Sequence, residues 1–233
     1  MNRREFLKVT AKGGALAAAS PLVLDFLKRS DAFPATVSDS ALPGLEASLA
    51  KVISKALASG GQYADVYLEE VARTSLSLAD GKVNSVNYGI DKGGGVRVLA
   101  NWRTGYAYCD SWDETALTQV ARVASEISRG GGAASSVKLA AEPGRGIVTY
   151  QVSPDAVDAS RKAEVLTTID SVARGYDPAI KQVRATFRDE LRKITIATSD
   201  GTIVRQELPL IWIDVSTLAE RGDKRSPGYA RRS

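Results

Sequence analysis

Two Asp-Gly pairs, Asp80-Gly81 and Asp200-Gly201, each stand between runs of extended-looking sequence. Such a pair supplies the positive φ angles that a tight two-residue hairpin turn demands, so each one commits its flanks to antiparallel strands. Before the first pair, Tyr63-Ala64-Asp65-Val66-Tyr67-Leu68-Glu69 alternates with Ala64, Val66 and Leu68 on one face, the period of a half-buried strand. Leu76 and Leu78 continue that pattern in a second strand, and Val83 with Val86 restarts it after the turn. Gly93-Gly94-Gly95 then leads into Val96-Arg97-Val98-Leu99-Ala100, and Gly105-Tyr106-Ala107-Tyr108-Cys109 is the next extended segment. The pattern predicts a meander of about five short strands, close to the usual sheet size.

Helical periodicity flanks this sheet. Leu45, Leu49, Val52, Ile53 and Ala56 trace one face of a helix over 45–58 that Gly60-Gly61 stops. Ser111-x-x-Glu114 has the form of a capping box opening a helix over 111–128, with Leu117, Val120, Ala121, Ala124 and Ile127 inward and Gly130-Gly131-Gly132 at its end. A third helix over 160–174, with Ala163, Leu166, Ile169 and Ala173 aligned, ends at Gly175. Strands follow at 180–189 and 191–198, then the Asp200-Gly201 turn, then a long strand from Ile203 to Leu218 in which Pro209 implies an edge or a bulge. The order helix, two strands, Asp-Gly, strand thus occurs twice, without matching side chains. The expected fold class is α+β, with antiparallel hairpin sheets packed against three helices.

The chain has no histidine and one cysteine, Cys109. That excludes Ser-His-Asp and Cys-His catalysis, His-ligated zinc and an intrachain disulfide. Cys109 reads as a small buried hydrophobe on an apolar strand. The formal charge of +4 sits at the ends: residues 1–35 carry six basic against three acidic groups, and 221–233 carry five against one. The body between them is slightly acidic and offers no electrostatic footprint for nucleic acid.

Arg3-Arg4 followed by Phe6, Leu7 and Lys8, then a weakly apolar run from Gly13 to Leu27, is similar to a twin-arginine export signal. It predicts a leader over 1–35, cleaved after Ala32 or Ala35, and a periplasmic destination. An amphipathic N-terminal helix of a cytoplasmic protein is the alternative. Pro21 and Asp25 interrupt the run, so no stable membrane span is expected. After the leader the expected organisation is a helix-sheet-helix domain over 36–130, a Gly/Ala/Ser/Pro-rich linker over 131–159, a second helix-sheet unit over 160–219, and a basic, turn-forming tail over 220–233.

Several sharper readings give way to blander ones. Gly93-Gly94-Gly95 lacks the helix and the Lys-Ser/Thr of a phosphate loop, so a bulge or tight strand entry is favoured. Asp65, Glu69, Glu70 and Asp80 read as a solvated polar face in preference to an acid-base or metal pair. Trp102, Tyr106 and Tyr108 read as core or interface packing in preference to a stacking platform. No catalytic, cofactor or metal-ligating residue is assigned.

The order GxYADVYLEE, DGKVNSVNYGIDKGGGVRVL, TGYAYCDSWDETAL, then Ala197-Thr198-Ser199-Asp200-Gly201-Thr202 and Leu208-Pro209-Leu210, resembles the N-terminal part of the TldD/PmbA family of metallopeptidases, over roughly Leu45 to Lys224. In that family a His-Glu-x-x-x-His helix of the C-terminal half supplies zinc ligands and general base. The resemblance therefore implies that this chain is a non-catalytic N-terminal portion, truncated or shifted in frame near its end, with zinc only in a missing C-terminal half. It implies a homo- or heterodimer with a TldD/PmbA-type subunit and a peptide substrate for the complete enzyme. The other reading is a free-standing exported binding or assembly module without enzymatic activity.

Overall fold

The computed structural model describes residues 44–129, 137–141 and 150–233. Arg3, Arg4, Phe6, Leu7 and Lys8, the leader around them and the Gly130-Gly131-Gly132 helix stop lie outside those residues. The elements are helix α1 (Leu45–Leu57), strands β1 (Tyr63–Ala79), β2 (Lys82–Ala100) and β3 (Arg103–Cys109), helix α2 (Glu114–Ser128), the short strand β4 (Ala140–Ala141), a 3-10 turn (Pro154–Ala156), helix α3 (Ala159–Tyr176), and strands β5 (Ile180–Thr198), β6 (Thr202–Arg221) and β7 (Lys224–Arg232). All seven strands form one sheet in the order β3-β2-β1-β5-β6, with β4 and β7 on the far side of β6. Every pairing is antiparallel except that of β4 with β6. The fold is α+β, as the hairpin signals require.

The strands are fewer and longer than the sequence pattern predicts. Tyr63 to Ala79 is one strand of 17 residues, and Ile180 to Thr198 one of 19. The polar stretches that read as breaks, Glu69 to Ser75 and Asp189-Glu190, stay extended because charged partners face them on neighbouring strands. The glycine run forms no bulge: β1–β2 register is continuous from Tyr63↔Leu99 to Ser77↔Ser85 and shifts only between Ser77 and Leu78. Helix packing explains Gly94 and, on β3, Gly105. A Cβ on Gly94 would lie 2.5 Å from Leu117 Cδ2 and 2.8 Å from Leu68 Cδ2, and one on Gly105 would lie 1.8 Å from the Ala124 carbonyl oxygen. Pro209 sits in unbroken register opposite Leu191, where β6 is bordered by β5 alone among the described residues, so the edge expectation holds and the bulge does not.

The expected tail also changes character. Lys224–Arg232 is an antiparallel strand on β6, turned at Gly222 with φ +58°, and Asp214 receives hydrogen bonds from Tyr229 Oη and Arg231 Nε, each at 2.6 Å. Its alternating Lys-Arg-Ser-Pro-Gly-Tyr-Ala-Arg-Arg text hides a strand because the stabilising partners lie on β6. The predicted linker likewise contains the β4 pairing and the 3-10 turn.

The cap of α2 is Asp113, whose Oδ2 accepts from the amides of Thr115 (3.0 Å) and Ala116 (3.1 Å); Ser111 Oγ accepts from the Asp113 amide instead of capping the helix. Glu114 turns to α1, accepting from Ser48 Oγ at 2.6 Å and Lys51 Nζ at 3.1 Å. Ile127, expected inward, is exposed; the helical repeat brings Ser125 and Ser128 to the buried side. The third helix runs through Gly175 to Tyr176.

All three helices lie on one face of the sheet and build two cores. Leu49, Val52 and Ile53 of α1 and Leu117, Ala121 and Ala124 of α2 bury Val66, Leu68, Val96 and Val98. Leu166, Ile169 and Ala173 of α3 bury Leu76, Leu78, Val183, Ala185 and Phe187. At the margin of the second core, Lys162 of α3 and Asp189 of β5, each 3% exposed, form an ion pair at 2.6 Å, and Lys162 Nζ donates to Thr74 Oγ1 at 3.3 Å. Asp189 Oδ2 is close to the ammonium without a well-aligned hydrogen bond, and burial pushes the carboxyl above its ordinary range.

Two tests follow from this packing. Gly105→Ala must displace α2 and is expected to cost about 1–3 kcal/mol of unfolding free energy, whereas Gly89→Ala, with nothing within 4 Å of its added methyl, should stay within about 0.5 kcal/mol of the parent; urea denaturation measures both. Asp189→Ala, which strands the buried ammonium, is expected to cost about 3–5 kcal/mol, while the paired change Lys162→Met with Asp189→Leu is expected to restore the parent stability or exceed it by about 1–4 kcal/mol. Equal losses in the single and paired variants would show that the ion pair contributes net stability.

Candidate functional site

The face of the sheet opposite the helices carries the groups that packing does not consume. Strand alternation places Asp65, Tyr67, Glu69, Val71 and Arg73 of β1 there, beside Asp91, Gly93, Gly95 and Arg97 of β2 and the even-numbered residues of β5 and β6. Across its middle runs an alternating ionic ladder. Arg192 Nε lies 3.0 Å from Glu69 Oε1 and its NH2 lies 2.9 Å from Glu190 Oε1; Arg73 Nε donates to Glu190 Oε2 at 3.0 Å and its NH1 reaches Asp91 Oδ2. Glu190, the only member nearly out of solvent, holds both arginines, and Val71 is buried between Glu69 and Arg73 on β1. Hydrogen bonding to Glu190, together with its charge and that of Asp91, raises the Arg73 pKa against the cost of burial. In this setting the guanidinium groups bridge adjacent strands and stay partly exposed.

An aromatic patch adjoins the ladder. Asp65 and Arg97 face each other across β1 and β2 with an ion pair at 2.7 Å. Tyr67 Oη donates to Glu69 Oε2 at 3.1 Å; burial first, then the Glu69 charge and this bond, pushes the Tyr67 phenol up. Tyr106 lies over Gly95, whose Cβ would come 2.6 Å from the Tyr106 hydroxyl, and stacks on Tyr108 with ring centroids 6.3 Å apart. A glycine floor beneath a cross-strand aromatic ring is how a sheet accommodates such a ring flat on its surface. At the other end of the same face, Arg188, Asp214, Tyr229 and Arg231 form a second ionic and aromatic cluster.

Asp65 and Glu69 do share this face, but salt bridges hold them, so the freely solvated reading is corrected for both. Asp80 lies apart at the β1–β2 turn, where hydrogen bonds from Arg174 and the Val183 amide keep its carboxyl below the usual range. Glu70 falls on the helix side, opposite Lys193 in register. Tyr106 and Tyr108 are exposed, which excludes core packing. Trp102 is fully exposed on the β2–β3 turn with φ +64°, a conformation that a bulky side chain seldom adopts. Cys109 is half-buried against the first core, its thiol donating to the Ser111 carbonyl at 3.3 Å. The ladder escaped the sequence reading, although Arg188-x-Glu190-x-Arg192 has charges at strand period and could have signalled it. Among the described residues no three His, Cys, Asp or Glu side chains converge as a metal site, and no helix is long and apolar enough to cross a membrane.

Comparison with known proteins places this architecture. Residues 64–128 match the PmbA/TldA metallopeptidase domain 1, and residues 152–233 match the PmbA/TldA metallopeptidase central domain. The chain is 29% identical over 171 residues to a metalloprotease TldD homolog of Haemophilus influenzae, covering 71% of this chain and 35% of that protein. It is 28% identical over 170 residues to a metalloprotease TldD homolog of Buchnera aphidicola, covering 71% and 34% respectively. The fold of TldE from Thermococcus kodakarensis superposes with a TM-score of 0.60 at 16% identity, covering 79% of this chain and 42% of that one. The chain thus spans about a third of the length of the curated relatives it matches. By its two domain matches, in the order and over the elements just described, the chain belongs to the TldD/PmbA metallopeptidase family.

Proposed function

We propose that the chain is the non-catalytic first and central part of a TldD/PmbA-type metallopeptidase, working as a dimer with a second subunit of that type, and that its helix-free face lines the chamber holding a peptide. The observation that carries this reading is the placement of all three helices on one face, which leaves the ionic ladder and the tyrosine patch facing outward on the other. Carboxylates and guanidinium groups spanning adjacent strands can meet the polar backbone and charged termini of an extended peptide, and tyrosine faces can meet its side chains.

The zinc of the family does not fit the residues present. A catalytic zinc site takes three protein ligands, most often with histidine among them, and this sequence has no histidine and a single cysteine, which bonds to a backbone carbonyl beside the first core. A purely carboxylate site would suit calcium or magnesium better, and the acidic groups of the helix-free face are already paired with arginines. Zinc and the general base therefore belong to residues other than these. Purified 36–233 is expected to bind no stoichiometric zinc by elemental analysis and to leave unfolded peptides uncleaved. Peptidase activity that copurifies with the polypeptide and disappears with a chelator would overturn this assignment.

Residues 1–35 are proposed as a twin-arginine leader that exports the protein folded, since its body has no disulfide requirement. Changing Arg3→Lys and Arg4→Lys together should retain the precursor in the cytoplasm on cell fractionation; undiminished mature protein in the periplasm would refute it.

A further inference from the structure

The outer edge of β2 is open over much of its length. β3 pairs with β2 only over Gly94 to Ala100, so from Lys82 to Gly93 the strand has β1 on one side and no strand on the other among the described residues. Unpaired edges are ordinarily blunted by proline, bulges or inward-pointing charge. The bulge of this edge, at Asn84, lies near its turn end; beyond it the edge carries an apolar stripe, with Val86, Tyr88 and Ile90 53%, 64% and 53% exposed and on one face. In register they stand beside Leu76, Thr74 and Ala72 of β1, in the gap between the α1–α2 core and the α3 core. The stripe is thus a lateral continuation of buried surface, cut off at the edge.

We propose that this edge is a self-association surface: the Ser85–Asp91 segment of β2 pairs antiparallel with the same segment of a second copy, Tyr88 facing Tyr88 across the two-fold axis. The inference rests on the dimer in the functional reading above and names its surface. Side-chain order selects the occupant. In a two-fold antiparallel pair, residues equidistant from the axis face each other on the same side of the sheet. With Tyr88 central, Val86 faces Ile90 of the second copy, Asn87 faces Gly89 and Ser85 faces Asp91; the apolar stripe closes on itself and no like charges meet. Centring on Asn87 puts Ile90 against Asn84, and centring on Gly89 puts Val86 against Lys92. Gly89 has open space around its α-carbon, which leaves room for the facing Asn87. The product is a sheet running through both copies with its edge hydrogen bonds satisfied.

Sedimentation equilibrium and cross-linking on the full chain test this. In a Cys109→Ala background, Tyr88→Cys should give a covalent dimer under oxidising conditions without reductant. The pair Val86→Lys with Ile90→Lys places like charges opposite each other and should raise the dimer dissociation constant about tenfold or more, and Val86→Lys with Ile90→Glu should bring it back by pairing opposite charges. These positions are solvent-exposed, so folding should survive, and a matching circular dichroism spectrum checks that. A parent chain that dimerises but neither cross-links through Tyr88→Cys nor responds to the charge pairs would overturn this surface while leaving the dimer standing. A parent chain that sediments as a monomer would remove both.

Discussion

The antiparallel pairing of β1 with β5 is the constraint on which the rest of the fold depends. It runs without a register shift from Asp65↔Thr198 to Ala79↔Arg184 and joins two segments separated by more than a hundred residues. Each partner is the first strand of its own meander: β1, β2 and β3 on one side, β5, β6 and β7 on the other. The seam also locks the ends of the hairpins, since the Asp80 amide donates to the Val183 carbonyl and the Ser199 amide to the Ala64 carbonyl. Each Asp-Gly turn therefore lies beside the opening of the other unit's first strand. The two helix-strand-turn-strand units that the sequence shows as an echo become halves of one sheet, related approximately by a two-fold axis through the seam. Closing so large a loop is entropically costly, and the long ladder with its two hydrophobic cores must offset that cost.

What was legible in the sequence follows from how local its physics is. Turn glycines at positive φ, such as Gly81 and Gly201, act through one residue's backbone and announce the hairpins. The helices show because apolar residues recur at the helical period against a single sheet face. Strand lengths were misread because the polar stretches in β1 and β5 acquire their stability from partners far away in sequence: Arg73 from Glu190, Glu69 from Arg192. The same distance hid β7, whose Arg231 and Tyr229 make sense only beside Asp214. Gly94 and Gly95 looked like conformational signals and are steric ones, as is Gly105, each vacating space for a side chain or helix backbone that the sequence places elsewhere.

Polar groups divide between the two faces according to what their removal would cost the fold. On the helix side, Lys162 and Asp189 meet inside the fold, where removing one charge leaves the other without solvent. On the helix-free side, the pairs to the more exposed Glu69 and Asp91 contribute only about 0.2–1 kcal/mol each, while the nearly buried Glu190 draws on two arginines to offset its desolvation. The ladder fixes five charged side chains in alternating positions across three strands. Side chains already ordered by one another lose less entropy when a ligand arrives, which is the condition for specific polar binding.

In the proposed function, this division is read beside a sequence without histidine. A chain that can neither ligate zinc in the family manner nor supply an imidazole base can still decide which polypeptide is presented to such chemistry and in what orientation. Positioning of that kind requires a rigid surface, and here rigidity comes from strands of up to 20 residues anchored on one side by two cores. Mobile loops would serve this purpose poorly, because a displaced substrate loses rate steeply with small errors in placement. Long strands, helices confined to one face, and ordered charges on the other are together what the proposed role, a wall of a peptide chamber, requires.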